Sequence, residues 1–307
     1  MSESASHNAA AAASSGQPWP AEIDPSQWKP CTHIELSTNT SAVQSIQQAV
    51  QQAMAANDAS HDFAHIARVH AAALTIGHQE GWAEDKDTME MIELTALLHD
   101  VDDWKYKVEG ECVRSFADIA FQLKSVCLVL AGQEQKTPAQ YLAEIDFDAP
   151  KSKLICTTIS SMGFKESLSQ SAADEAISPQ ALVLLSVVQD ADRLDAIGAF
   201  GIARCLTYGG AKKRRLFDPS EPPKLNMWAR ICCACACSCR RRNLCIRRTK
   251  EEYMANKDGT TLNHFYEKLF FLKDKMRTKT GRAMAAARHE VMVAFVQQLL
   301  LEQAGSA

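Results

Sequence analysis

The stretch LTALLHDVDDWK, residues 94–105, decides how the rest of the chain is read. Leu94, Leu97, Leu98 and Val101 recur at helical spacing, so the stretch is the end of a buried helix. Attached to it are one imidazole and three carboxylates, from His99 to Asp103. A charged acid beside a buried apolar run is unfavourable unless it is paired or metal-bound. A divalent cation would relieve the repulsion among these acids. Working outward, HDFAHIARVH (61–70) opens a second amphipathic helix, with Ile66, Val69, Ala73 and Ile76 on its apolar stripe. His61, His65 and Arg68 stand at i, i+4 and i+7, on one face beside that stripe. Much later comes QALVLLSVVQDADRLDAIGAFGIAR (180–204), where Leu182, Leu185 and Val188 are expected to bury a third helix.

A His, an adjacent His-Asp pair and a distal Asp, in that order, resemble the HD superfamily of metal-dependent phosphohydrolases. The matching residues are His65, His99–Asp100 and Asp192, each with its usual flank: HxxR, LLHDV and DADRLDA. The likeness runs over about residues 55–300, one segment excepted. It implies that His65, His99, Asp100 and Asp192 ligate one divalent metal. Imidazole and carboxylate together suit Mn²⁺, the first choice, with Mg²⁺, Co²⁺, Ni²⁺, Fe²⁺ or Zn²⁺ as alternatives. Members with a second metal carry extra histidines near residues 151–165, and this chain has none between His99 and His264. Asp190 and Asp195 compete for the distal position. Asp190 can pair with Arg193, and Asp195 can line the pocket.

Asp102 and Asp103 stand where the HD hydrolases of guanosine tetraphosphate carry a Glu-Asp pair. The resemblance makes either one the general base. His61 and Arg68 are expected either to support the ligating residues from behind or to contact phosphate, and Lys105 and Lys165 are candidate phosphate contacts, although a lysine in such a place is as often simply solvated. His70 and His78 read as surface residues. Near the C-terminus, HFYEKL, LKDKM and TKTG resemble the small bacterial and fungal HD phosphohydrolases, some of which are nucleotide pyrophosphohydrolases. That adds His264 and Lys268 as residues able to close over a triphosphate.

Composition sets the outer limits. The chain has 307 residues, is 46% hydrophobic and carries a net charge of −4. It can bury a large core, and it has no global basic field to recruit nucleic acid. No apolar run approaches the ~20 residues of a membrane span, and no signal peptide is apparent. A cytoplasmic or nuclear protein is the default expectation. Residues 1–40 read as an Ala/Ser-rich disordered tail and an irregular lead-in. Helices are expected at 41–56, 62–80, 87–101, 111–131, 138–145, 150–162, 178–195, 197–207, 260–277 and 279–303, an all-α domain over 41–307. In the last two, Phe265, Leu269, Leu272 and Met276, then Ala287, Val291 and Phe295, are the expected core faces.

One stretch stands apart. WARICCACACSCRRRNLCIRR (228–248) holds six of the eleven cysteines. It lacks two separated CxxC knuckles and any His, so an insertion fits better than a zinc site. The expected function is hydrolysis of a nucleoside triphosphate to monophosphate and pyrophosphate. The alternatives are a 5′-nucleotidase and a non-catalytic metal-binding sensor.

Overall fold

The structure, a computed structural model, describes residues 36–55, 62–101, 136–162, 178–220 and 259–306. Among these residues every regular element is a helix, as the periodicity predicts. Helix α1 spans Ser41–Ala53, α2 Phe63–Gln79, α3 Lys86–Leu98, α4 Pro138–Glu144 and α5 Ala149–Ser160. Then come α6 Pro179–Asp195, α7 Gly198–Ala211, α8 Asn263–Glu267, a 3-10 helix Leu269–Lys275 and the long α9, Lys279–Gln303. The starts are fixed locally. Asp62, Asp85, Ser178 and Thr278 each accept a hydrogen bond from a backbone N–H of the following turn, satisfying donors that a helix leaves free. The expected helix at 111–131 and the Cys/Arg-rich stretch lie outside the described residues.

The core forms where α2, α3 and α6 pack on one another, with α1, α5, α7 and α9 around them. Ile66, Val69, Ala73 and Ile76 of α2 are fully buried, as are Leu94, Leu97 and Leu98 of α3. Two expected faces are rotated. Leu182 is 37% exposed, and α6 buries Leu184, Leu185, Val187 and Val188 instead. In α9, Val291 is exposed and Ala287 lies outside the core; Ala285, Met292 and Val296 are the buried positions. Both helices carry apolar residues on more than one side, so several stripes fit the sequence and tertiary packing selects one. Residues 260–277 do not form one helix. They break at Lys268, where φ is −139°, into α8 and the 3-10 turn.

Asp190, fully buried in α6, anchors the start of α9. Its carboxylate accepts from the backbone N–H groups of Arg277 and Thr278 and from the Thr278 hydroxyl. Arg193 donates to the Lys275 carbonyl. The two residues therefore tie down the approach to α9, where the sequence suggested a pair between them.

The lead-in is also more ordered at its end than expected. Glu93, buried in α3, accepts hydrogen bonds from Ser37 Oγ at 2.7 Å, Thr38 N at 2.7 Å, Thr38 Oγ1 at 2.6 Å and His70 Nε2 at 2.8 Å. His78 Nε2 donates to the Leu36 carbonyl at 3.1 Å. His70 and His78 are thus clasp residues that hold residues 36–38 on the core, not surface residues. Burial would raise the Glu93 carboxyl, but His70, Thr38 and Ser37 outweigh it and hold it below its ordinary value. A depressed acid contributes stability above its unfolded pKa and loses it as the pH falls through the folded value. Glu93→Gln should therefore be less stable than the parent at pH 7. The gap should shrink below about pH 4. Urea denaturation at both pH values checks this, and a gap independent of pH would count against it.

The flanks of the Cys/Arg-rich stretch meet. Thr261 N donates to Arg215 O at 2.9 Å and Leu262 N to Leu216 O at 3.0 Å. The intervening chain leaves and returns at one place, and loop-closure entropy changes slowly with length. Excising 228–248 should keep the unfolding free energy within about 1 kcal/mol of the parent. Loss of stoichiometric zinc on excision, with a large drop in Tm, would refute that expectation.

Candidate functional site

Helix α3 ends at Leu98, and His99 is its cap in a helical turn rather than a residue of its interior. This ending swings His99 and Asp100 off the helix, beside the first turn of α2. His99 Nδ1 lies 2.8 Å from the Ala96 carbonyl. A carbonyl only accepts, so Nδ1 carries the proton and Nε2 keeps its lone pair. That Nε2 is buried and has no hydrogen-bond partner among the described residues.

His65 is built in the same way. Its Nδ1 donates to Asp195 Oδ2 at 2.7 Å, and its Nε2 faces Asp100 Oδ2 at 3.6 Å and Asp192 Oδ1 at 3.8 Å. His99 Nε2 is 4.0 Å from the same Asp192 oxygen. The two rings meet edge to face, centroids 5.3 Å apart. Ligand atoms of His65, His99 and Asp100 lie within 4.8 Å of one another. Bonds of about 2.0–2.2 Å to a shared ion place its ligand atoms roughly 3–4 Å apart, so His65, His99, Asp100 and Asp192 can hold one divalent cation after small adjustments. Burial lowers the His65 pKa, but the hydrogen bonds to Asp100 and Asp195 raise it further, and the net shift is upward. A proton at Nε2 answers the same negative field that a cation would.

Behind His65 stands Asp195, which the sequence placed only as a pocket-lining alternative. Its Oδ1 accepts from Arg68 Nε at 2.6 Å, and its Oδ2 accepts from Arg68 Nη2 at 3.0 Å and Arg204 Nη1 at 2.9 Å. Burial alone would raise this carboxyl. The bonds from His65 and Arg68 and the charges of His65 and Arg204 hold it well below the carboxylate range. Such a carboxylate fixes the tautomer and ring orientation of a ligating histidine. Of the two roles the sequence left open for Arg68, support of a ligating residue or contact with phosphate, the geometry matches the first: it is bound to Asp195, and its guanidinium lies 4.2 Å over the Phe200 ring. Gly198, at φ +74°, turns the chain from α6 into α7. Gly201 permits the turn to close: a Cβ there would fall 2.3 Å from the Ala196 carbonyl oxygen.

The other predicted residues are placed differently. His61, Asp102, Asp103, Lys105 and Lys165 lie outside the described residues. His264 and Lys268 are on and just after α8, in the electrostatic reach of Arg214, beyond the C-terminal end of α7. Although His264 keeps some surface, burial with Lys268 and Arg214 nearby pushes its imidazole down to about 3. It is neutral at physiological pH and brings no charge to a phosphate. The sequence missed Arg204 and gave Asp195 only as a residue that lines the pocket. One signal was legible: a ligating His needs a partner for its other nitrogen, and the distal motif holds a spare Asp.

Comparison with known proteins fits this geometry. No protein-family model matches the chain. A structure from Lactobacillus plantarum is 29% identical, covering 86% of this chain and 97% of its own, with a TM-score of 0.59. An HD-superfamily hydrolase from Bacillus thuringiensis is 28% identical, covering 85% and 96%, with a TM-score of 0.51. This chain resembles the HD-superfamily hydrolases. YpgQ of Bacillus subtilis, uncharacterized in function, is 28% identical over 242 residues, 78% of this chain and 83% of YpgQ. A YpgQ structure in complex with ADP aligns with a TM-score of 0.51 at 25% identity, covering 85% of this chain and 95% of that one. The HD likeness thus extends from the motifs to the helical framework that carries them.

Asp195 and Asp192 should separate cleanly on substitution. Asp195→Ala strands the largely buried Arg68 and Arg204 and should cost on the order of 3 kcal/mol of stability in urea denaturation. The Asp192 side chain is 40% exposed, and Asp192→Ala should cost under about 1 kcal/mol. Equal losses would mean that Asp195 is not the joint described here.

Proposed function

We propose that this chain is a divalent-metal-dependent phosphohydrolase acting on a nucleotide, cleaving a nucleoside triphosphate to monophosphate and pyrophosphate. The observation that carries this reading is the buried, unpartnered Nε2 of His99, facing the same Asp192 oxygen as His65 Nε2. A buried polar atom without a partner is unfavourable, and a cation would satisfy it. The donor set, two imidazoles and two carboxylates, admits Mn²⁺ among the first-row divalent metals, and Mn²⁺ is the ion proposed. The nucleotide class is supported by the ADP complex of YpgQ and by the resemblance of residues 264–289 to the small HD phosphohydrolases.

A divalent ion held by His65, His99, Asp100 and Asp192 supplies Lewis-acid polarisation of a phosphate oxygen and lowers the pKa of water. Asp195 keeps the His65 lone pair turned toward that ion. Asp102 or Asp103, which follow the cluster directly in sequence, takes the proton from the attacking water. Lys105, Lys165 and His61 contact the phosphates, and Arg68 acts through Asp195 and as a positive charge at the rim. Lys268 and the neutral His264, by the C-terminal end of α7, take no part in this reading.

His65→Ala, His99→Ala, Asp100→Ala and Asp192→Ala should each lose bound Mn²⁺ and turnover while the helical circular dichroism is retained. Asp190→Ala should keep the metal and lose stability. Asp102→Asn with Asp103→Asn should retain metal and slow turnover on the order of 10²–10⁴-fold. The deciding assay incubates the protein and Mn²⁺ with a nucleotide panel and separates pyrophosphate from phosphate. Phosphate from monophosphates alone would replace the proposed reaction by a 5′-nucleotidase, and no release from any nucleotide would leave a metal-binding sensor.

A further inference from the structure

Phe200 sits in the first turn of α7, five residues beyond Asp195, and is 55% exposed. It is the most exposed of the large hydrophobic side chains among the described residues. The core does not use it, since Ile202 and Cys205 supply the contacts that α7 makes with the interior. One face of its ring is covered by the Arg68 guanidinium at 4.2 Å. Arg68 in turn holds Asp195 at 2.6 Å, and Asp195 holds His65 at 2.7 Å. Three direct contacts therefore link the ring to the imidazole whose far nitrogen faces Asp100 and Asp192. An aromatic ring braced on one side by a cation and 55% exposed is a stacking platform. The contacts through Arg68 and Asp195 tie it to the imidazole of the His/Asp cluster.

We propose that Phe200 binds the nucleobase of the substrate by stacking, with Arg68 behind the ring and the phosphates directed to the His/Asp cluster. This deepens the nucleotide reading above and rests on it. Every base has a π-face, so the platform selects nucleotides over base-free phosphates while discriminating weakly among bases. The larger purine ring system covers more of the phenyl face than a pyrimidine does, which orders affinity within the class.

The test uses binding rather than turnover. Wild type and Phe200→Ala are titrated calorimetrically with α,β-methylene-ADP and with methylenediphosphonate, both with Mn²⁺ present. The two probes share the non-cleavable diphosphonate and differ by the adenosine. Phe200→Ala should weaken the nucleotide analogue by about 5–100-fold and leave methylenediphosphonate unchanged; Phe200→Trp should restore the nucleotide analogue. Unchanged affinity for the nucleotide analogue in Phe200→Ala overturns the proposal, as does equal weakening of both probes. Stacking without hydrolysis of any nucleotide would uphold Phe200 and sink the proposed reaction. Hydrolysis with a KM insensitive to Phe200 would do the reverse.

Discussion

The buried carboxylate of Asp195 is the joint on which the site depends. It receives His65 from α2, Arg68 one turn further along α2, and Arg204 from α7. Three segments are thereby fixed around one side chain that is 4% exposed. Isolated burial of such a charge would be prohibitive. Two guanidinium groups and an imidazole N–H make it tolerable, and the geometry that satisfies the acid is the same geometry that orients the imidazole. Packing of α2 on α6, the central contact of the core, and orientation of the site are therefore a single structural fact.

Helix α6 also shows how burial assigns different work to like residues. Asp190, Asp192 and Asp195 sit within six positions. Asp190 is fully buried and receives the backbone of Arg277 and Thr278. Asp192 is 40% exposed and looks toward two imidazoles. Asp195 is buried again, on the side of α2. At about 100° per residue, Asp192 lies about 160° around the helix from Asp190 but only about 60° from Asp195, so Asp190 faces away while Asp192 and Asp195 approach His65 at its two different nitrogens. One anchors α9, one faces the cluster, and one braces a histidine.

This explains what was legible in the sequence. Helical spacing exposed the core positions of α2 and α3, Ile66, Val69, Ala73 and Ile76, and Leu94, Leu97 and Leu98; α3 is buried on nearly every side, so any apolar stripe drawn along it meets the core. It misjudged Leu182, Ala287 and Val291, because α6 and α9 offer competing stripes and only the neighbouring helices choose between them. The motif order singled out His65, His99, Asp100 and Asp192, and the structure brings those four side chains together. The work of Asp190 was not legible, and that of Asp195 only as a spare acid in the distal motif, since a carboxylate's partners here lie 87 and 130 positions away in the chain. Glu93 illustrates the same limit: nothing in its own helix marks it as the buried acceptor of Ser37, Thr38 and His70.

Charge accounting gives the site its final constraint. Around His65 stand three carboxylates, Asp100, Asp192 and Asp195, and two guanidinium groups, Arg68 and Arg204. Both cations reach Asp195. Asp100 and Asp192 face the imidazole Nε2 atoms from the other side. At low effective dielectric, carboxylates brought this close favour a positive group between them. A proton shared at His65 answers part of this field, as the upward shift of that imidazole records. A divalent cation would answer the same field and would take up the His99 Nε2 lone pair, which has no hydrogen-bond partner among the described residues. Directing Arg68 and Arg204 to Asp195 keeps His65 oriented from behind and leaves its Nε2 turned to Asp100 and Asp192, so the groups that hold the imidazole and the groups that share its free nitrogen stand on opposite sides of the ring.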